Sequence, residues 1–431
     1  MRIKRFLRKL KKPAIVLAAI IGVLAAMLCY NNLVPVYKVP ARVLPNPNGW
    51  DDFVEAGKMV KKIDRPGPYA DFKHGDSWSV ARMEAFVKAN EPALAVMRRG
   101  FAKDCLHQET DAFPPTSDAR DLTRILQGVA LCHTKLGDYA AAADAVLDGF
   151  ELNVSAARGG ALISDLVDCM DEALIGRKLP EIIAKLDAKQ LERVASRLET
   201  IESKRWPLRE AILQEGCCTN VTFSKAFNSR AFRAQMMNPL RWGEQNPLAA
   251  EPNVDIDELF DSDKPLPEPP KPIALIWPNA RYAFTNKAAV LGGFERFYRA
   301  YAAEQKGPYT GKSSLIAPDF PFMRDTANIY DRASRKHAAA RVRVSLLLAD
   351  IAIRRFRLDH GAYPAGLDQL VPKYLKSLPP DPFSREKPLR YIPASGGCLL
   401  YSLGPDLKDD GGKPSPHRGD WQNGDILLSG L

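Results

Sequence analysis

Apolar residues recur at helical spacing through most of the middle of the chain. Leu122, Ile125, Leu126 and Val129 lie three or four positions apart, which is typical of one face of an amphipathic helix. The same spacing, bounded by Gly and Pro, predicts further helices over residues 51–62, 162–175, 179–186, 188–201, 207–214 and 287–304. Strand-type alternation does not occur between residues 80 and 216. A mostly α-helical central domain is therefore predicted.

Boundary residues add detail to this pattern. Asn90, which precedes Glu91 and Pro92, predicts that a helix starts there, and Gly100 predicts that it ends after Arg99.

The last hundred residues have a different pattern. Val344, Leu347, Leu348 and Ile351 form the apolar face of one helix, and Gly361 follows as a residue suited to the left-handed conformation just past the helix end. Short strand-like segments come after it, at residues 389–392, 398–402 and 425–428. One helix followed by a small antiparallel sheet is an α+β unit, so the whole chain is predicted to be α+β.

The N-terminus has the pattern of a membrane-targeting segment. Seven basic residues fall within the first twelve positions, and Ala14 to Tyr30 carries no charge. As a helix this run is ~25 Å long, and an extension to Val34 brings it to the ~30 Å of a hydrocarbon core. A retained signal-anchor and a cleaved signal peptide are both open interpretations. The poor cleavage site around Met27 favours the anchor.

This interpretation predicts a location for the chain. A helix over Ala14–Val34 would anchor a single-pass protein in the bacterial inner membrane. The basic head would hold the N-terminus in the cytoplasm, and the bulk of the chain would lie in the periplasm.

Net charge excludes one class of partner. The formal charge of +10 comes from 61 basic and 51 acidic residues, but removal of the seven basic residues of the head leaves 54 against 51. The remainder is nearly neutral, so binding of nucleic acid is not predicted. The stretch from Gly307 to Ser314 is similar to a phosphate-binding loop but has Lys306 where that motif requires its first glycine, so binding of a nucleotide is not predicted either.

Residues that could carry catalysis are sparse. The six histidines form no recognised motif, and the seven cysteines have neither CxxC nor Cys/His spacing, so zinc is not predicted and no catalytic residue is assigned. Asp165, Asp168 and Asp171 recur at three-residue spacing, which we interpret as a solvated helix face.

The C-terminal motifs carry a resemblance to a known family. A helix is followed by RLDHGAYP, GLDQLVPKYL, LPPDPF, LRYI, LLYSLGPDLKDDGG and GDI, between about residues 340 and 428. This order resembles the C-terminal part of the major pseudopilin of type II secretion systems. The resemblance implies a long helix packed on a sheet of three or four strands, with a calcium site in the loop that closes the sheet.

Five carboxylates could form such a calcium site. By motif position Asp406 and Asp425 match the family's ligands best, and Asp409 and Asp410 lie beside them, with Asp420 in an insertion that the family lacks. Carboxylate oxygens are ligands that calcium prefers. A solvated acidic hairpin is the alternative interpretation.

The chain differs from a pseudopilin in its N-terminal segment, and this difference affects the predicted function. The N-terminal segment lacks the glutamate and the processing site of a pseudopilin, and about three hundred residues separate it from the pilin-like helix. We therefore predict a membrane-anchored, periplasm-facing, non-enzymatic protein that binds an envelope or secretion-system partner, or has a structural role there. The alternatives are an exported hydrolase with a cleft between the helical and pilin-like domains, and a divergent pseudopilus subunit.

The predicted organisation has five parts. These are a basic head and signal-anchor (1–34), a stalk (35–80), a helical domain (81–262), a proline-rich connecting segment (263–332) and a pseudopilin-like domain (333–431).

Overall fold

The computed structural model describes residues 2–61, 78–106, 117–228, 285–307, 309–311, 313–316, 326–394, 396–414 and 424–428. The proline-rich stretch at 264–272 and Asp420 lie outside the described residues. The predicted α+β class is confirmed at the coarse level, because the chain is mostly helical and carries a small antiparallel sheet region at its C-terminal end.

The described residues are mostly helical. In chain order the helices are α1 (Arg2–Asn31), α2 (Gly49–Met59), α3 (Val80–Phe101), α4 (Ser117–Leu136), α5 (Tyr139–Ala156), α6 (Leu162–Gly176), α7 (Leu179–Ile183), α8 (Ala188–Ser203), α9 (Leu208–Phe227), α10 (Lys287–Glu304) and α11 (Thr326–His360). Side-chain caps start several of them. Asp187 accepts a hydrogen bond from the backbone of Gln190 while the Gln190 side chain binds back to the backbone of Asp187, a capping box that fixes the start of α8.

The chain forms two compact units. The first comprises Met1–Val39, Gly216–Arg299 and Leu315–Ile329, and the second comprises Pro40–Glu215, Ala300–Ser314 and Tyr330–Leu431. In the first unit Phe223 packs edge-to-face on Phe294, with ring centroids 5.1 Å apart. Nearby, the hydroxyls of Thr219 and Tyr298 are hydrogen bonded at 2.9 Å.

The predicted membrane anchor is wrong. No helix in the part of the chain that the structure describes is long and apolar enough to cross a membrane. Helix α1 ends at Asn31, where the Asn32 side chain donates a hydrogen bond to the carbonyl of Leu28, so the extension to Val34 that full length required is not helical. The uncharged run of α1 thus remains at ~25 Å against the ~30 Å needed. The predicted single-pass localisation in the inner membrane is therefore not supported.

The predicted helix start at Asn90 is also wrong, because α3 runs without a break from Val80 to Phe101 with Pro92 inside it. Asn90 is fully buried, and its side chain accepts a hydrogen bond from the backbone N–H of Lys61 at 2.8 Å. The amide also donates to the carbonyls of Lys61 and Phe86. The residue fixes the segment after α2 against α3 instead of capping a helix.

From Tyr330 onward, helix α11 belongs to the second unit. Residues 337–353 are buried apart from Arg341 and Asp350, which are half-buried, so this stretch is enclosed on nearly every side. Its apolar side chains, such as Val342 and Leu346, belong to the same core as Leu122 of α4 and Phe150 of α5. The core of the helical segment and that of the C-terminal segment are therefore continuous.

The sheet region after α11 is smaller than predicted. Gly361 ends the helix with φ +70°, as expected, and β1 (Pro380–Asp381) then pairs antiparallel with β2 (Lys387–Pro388). A second antiparallel pair joins β3 (Arg390–Ala394) to β4 (Gly397–Tyr401). The strand expected at 425–428 is reduced, within the described residues, to an isolated bridge between Ser402 and Ile426.

Candidate functional site

The C-terminal acidic loop is organised around Asp425. This residue is 3% exposed, and its Oδ2 accepts hydrogen bonds from the backbone N–H groups of Asp410, Gly412 and Lys413 at 3.1, 2.7 and 3.2 Å. Its Oδ1 is buried without a hydrogen-bond partner among the described residues. Burial raises the pKa of Asp425, and the three backbone hydrogen bonds oppose that rise. One oxygen thus shapes the loop, while the other remains available to a ligand.

Asp406 lies beside this centre. Its Oδ2 accepts from the backbone N–H of Gly424, the neighbour of Asp425, at 3.3 Å. Its Oδ1 accepts from the backbone N–H of Lys408 at 3.2 Å. The structure therefore brings Asp406 and Asp425 together.

The other two predicted ligands are placed differently. Asp409 Oδ1 accepts from the hydroxyl of Tyr401 at 2.8 Å and from the N–H of Gly411, while its Oδ2 forms an ion pair with Arg390 at 3.3 Å. The hydrogen bond from Tyr401 lowers the pKa of Asp409. Asp410 is exposed and is tied to Asp425 through its backbone. Neither carboxylate contributes to the Asp406–Asp425 centre.

A second concentration of polar groups lies on α6. Asp165, Asp168 and Asp171 are only 3–6% exposed, so the predicted solvated face is wrong. Polar and charged side chains from other elements cover this face. Arg120 of α4 pairs with Asp171 at 3.5 Å, and His337 of α11 contacts Asp165.

The best-formed ion pair in this buried cluster joins Arg205 to Glu172. Two nearly parallel hydrogen bonds, both 2.9 Å long, connect the guanidinium to the two carboxylate oxygens. Arg205 also donates to Glu202 at 2.7 Å. This fork geometry is the strongest form of a protein ion pair.

Burial dominates the electrostatics of the cluster. Burial, followed by the charges of Asp171 and Asp165, raises the pKa of Asp168 well above its usual range. Burial likewise lowers the pKa of Arg343, whose Nε and one terminal nitrogen have no hydrogen-bond partner among the described residues. Groups whose pKa is strongly shifted by burial are frequent at functional sites.

One part of the cluster has the composition of a metal site. Asp165 and Cys169 are four residues apart on α6, and His337 approaches them from α11. One ligand atom from each lies within 4.8 Å of the others. The spacing of Asp165 and Cys169 was visible in the sequence, but His337 is 172 positions from Asp165, so no local motif could have revealed the set.

The carboxylate of Glu215 makes the stability of the second unit dependent on pH. Burial raises the pKa of Glu215 from 4.5 to about 7, although the backbone N–H of Leu162 donates to it at 3.2 Å. The folded state therefore favours the protonated form. The corresponding stabilisation is fully present below pH 4.5 and is lost as the pH rises through about 7.

We expect the substitution Glu215→Gln to remove this dependence, since the amide oxygen still accepts from Leu162 and carries no charge. Between about pH 5 and 8 the free energy of unfolding of the wild type should fall by up to about 3 kcal/mol more than that of the variant. Urea unfolding across that range measures the difference. Parallel pH profiles for the two proteins would contradict the assignment.

The chain was compared with protein families, curated proteins and solved structures. No family model, no curated protein and no solved structure matches the chain.

Proposed function

We propose that the chain is a non-enzymatic binding or structural protein in which a pseudopilin-like domain is built into a larger helical unit. A component of a secretion machinery is the partner that the C-terminal motifs favour. The observation that carries this proposal is the enclosure of α11. A helix that other subunits must contact in a filament needs a free face, and residues 337–353 are enclosed by the chain's own core.

The same observation disfavours a divergent pseudopilus subunit. Subunits that assemble by helix stacking bury apolar helix surface against their neighbours. Here Val342, Leu346 and Leu347 are each at most 1% exposed within one chain. Their withdrawal from the core would cost several kcal/mol in total, so the helix serves as an internal support that presents the small sheet.

Co-purification with individual secretion components tests the proposed function. The full chain should form a complex with at least one purified type II secretion protein, and Ile392→Glu should weaken that complex about tenfold. Ile392 is 47% exposed on β3 and is suited to an interface. Ile316→Glu is the control, since Ile316 is 92% exposed and lies outside the C-terminal motifs.

Two outcomes count against the proposal. If none of the secretion components forms a complex with the chain, the proposed partner is wrong. If both variants weaken the complex equally, the surface of the small sheet is not the contact.

Calcium in the acidic loop belongs to the same proposal. Among the described residues the buried Oδ1 of Asp425 has no hydrogen-bond partner, which fits a cation that prefers oxygen ligands. Asp406 is close by, because it accepts a hydrogen bond from the backbone N–H of Gly424, the neighbour of Asp425. Asp409 does not fit, because Tyr401 and Arg390 hold its carboxylate. A bound ion would have a structural role, holding the two ends of the loop together.

Thermal unfolding with and without calcium tests this site. At about 1 mM free calcium we expect the unfolding midpoint of the wild type to rise by several degrees relative to a chelator, and Asp425→Asn to abolish the rise. Asp409→Asn is the matched control and should keep it. Identical midpoints of the wild type in calcium and chelator would exclude the ion.

A further inference from the structure

The three side chains on α6 and α11 that have the composition of a metal site form a compact triangle. His337 Nδ1 lies 3.0 and 3.1 Å from the two carboxylate oxygens of Asp165, and Cys169 Sγ lies 3.9 Å from Asp165 Oδ2. All three residues are buried in the second unit. Because Asp165 and Cys169 are one helical turn apart, α6 directs both side chains to the same place.

These distances are close to the edges of a tetrahedron around a metal ion. Zinc binds nitrogen and oxygen at ~2.0–2.2 Å and sulfur at ~2.3 Å, so tetrahedral angles separate a nitrogen from an oxygen by ~3.4 Å and a sulfur from an oxygen by ~3.6 Å. The observed nitrogen–oxygen separations of 3.0 and 3.1 Å are shorter than the tetrahedral value. The observed sulfur–oxygen separation of 3.9 Å is longer than its tetrahedral value. Shifts of a few tenths of an ångström would bring these two edges to the tetrahedral values, and the third edge, from Cys169 Sγ to His337 Nδ1, is shorter than 4.8 Å.

The ligand types select the metal. Calcium and magnesium prefer oxygen alone, whereas a mixed set of imidazole, thiolate and carboxylate is typical of zinc. Three protein ligands also leave a fourth position for water, as in zinc sites that are not closed by protein.

The side chains around the triangle suit a cation. Helix α6 buries four carboxylates, those of Asp165, Asp168, Asp171 and Glu172. The guanidiniums near them among the described residues are those of Arg120, Arg205 and Arg343. These four carboxyl groups outnumber the three guanidiniums, and a local excess of carboxyl oxygens is suited to a cation.

We propose that the chain binds one zinc ion through the Asp165 carboxylate, the Cys169 thiolate and His337 Nδ1, with water as the fourth ligand. The Cys169 proton leaves to solvent when the metal binds. The ion would link α6 to α11 across 172 sequence positions, and so join the helical segment to the helix that carries the C-terminal sheet. The site is independent of the calcium loop and of any secretion partner.

Metal analysis of the purified full chain tests the site. After zinc loading and removal of free metal, the wild type should retain one zinc ion per chain. Cys169→Ser should weaken zinc binding by at least about 100-fold, measured by competition with a chromophoric chelator. Cys132→Ser is the matched control, because Cys132 is also a buried helical cysteine of the same unit and lies outside the triangle. Asp425→Asn should bind zinc as the wild type does, which separates this site from the calcium loop.

Cobalt provides a readout that needs no variant. The cobalt-loaded wild type should have the charge-transfer absorption of a thiolate ligand and the visible bands of a tetrahedral centre. A wild type that retains no zinc, or a cobalt spectrum without a thiolate band, would overturn the proposal. So would a Cys169→Ser variant with wild-type affinity. In any of these cases His337 and Asp165 form only a buried hydrogen bond.

Discussion

Replacement of Arg205 by methionine is expected to lower the free energy of unfolding by about 3–5 kcal/mol. The variant keeps most of the apolar stem of the side chain and removes the guanidinium that holds both oxygens of Glu172. The Glu172 side chain is 1% exposed, so water cannot replace the lost partner. A carboxylate left charged and unpaired in the interior accounts for the size of the loss.

A double-variant cycle distinguishes the lost pair from lost packing. Arg205→Met combined with Glu172→Met should recover most of the stability, because two apolar residues of similar volume can replace a buried ion pair at little cost. Arg193→Met is the control, because Arg193 forms an ion pair with Asp144 in which the two side chains are 54% and 40% exposed. This substitution should lower the free energy of unfolding by at most about 1 kcal/mol. Equal losses for Arg205→Met and Arg193→Met in denaturant unfolding would refute the argument.

This pair also marks the limit of what the sequence could reveal. Helix periodicity and boundary residues depend on neighbours within a few positions, so the helix Lys287–Glu304 and the end of α11 at Gly361 were predictable. The burial of Glu172 depends on Arg205, 33 positions away. A helix face rich in aspartate has the same local pattern whether water or distant arginines cover it.

The C-terminal loop was predictable in part for a related reason. The motif order singled out Asp406 and Asp425, and the structure brings these two together through Gly424. The motif order gave no information on the contacts of the Asp409 carboxylate, because its partners Arg390 and Tyr401 lie on β3 and β4. Local chemistry thus identified the candidate ligands, and tertiary contacts decided which carboxylate oxygens stayed available.

The turn that brings Asp406 next to Gly424 gives the second large effect. We expect Gly404→Ala to lower the free energy of unfolding by about 2–5 kcal/mol, from two causes that add. Gly404 has φ +72°, a conformation that costs an L-residue about 1–2 kcal/mol. An added Cβ would also collide with the backbone carbonyl oxygen of Gly424, and overpacking against backbone that cannot rotate away costs a further 1–3 kcal/mol or so.

Gly361→Ala separates these two causes. Gly361 has φ +70°, nearly the same conformation, but a Cβ there would meet nothing within 4 Å, so this variant should lose only the conformational ~1–2 kcal/mol. Denaturant unfolding of both variants measures the difference, and equal losses would mean that the backbone contact at Gly424 is not tight. Gly424 also donates its backbone N–H to Asp406, so a collision that separates Gly404 from Gly424 should disturb this contact, and Gly404→Ala should also lose the calcium-dependent rise in the unfolding midpoint. Gly361→Ala should keep that rise, because its turn lies at the end of α11 and not in the loop.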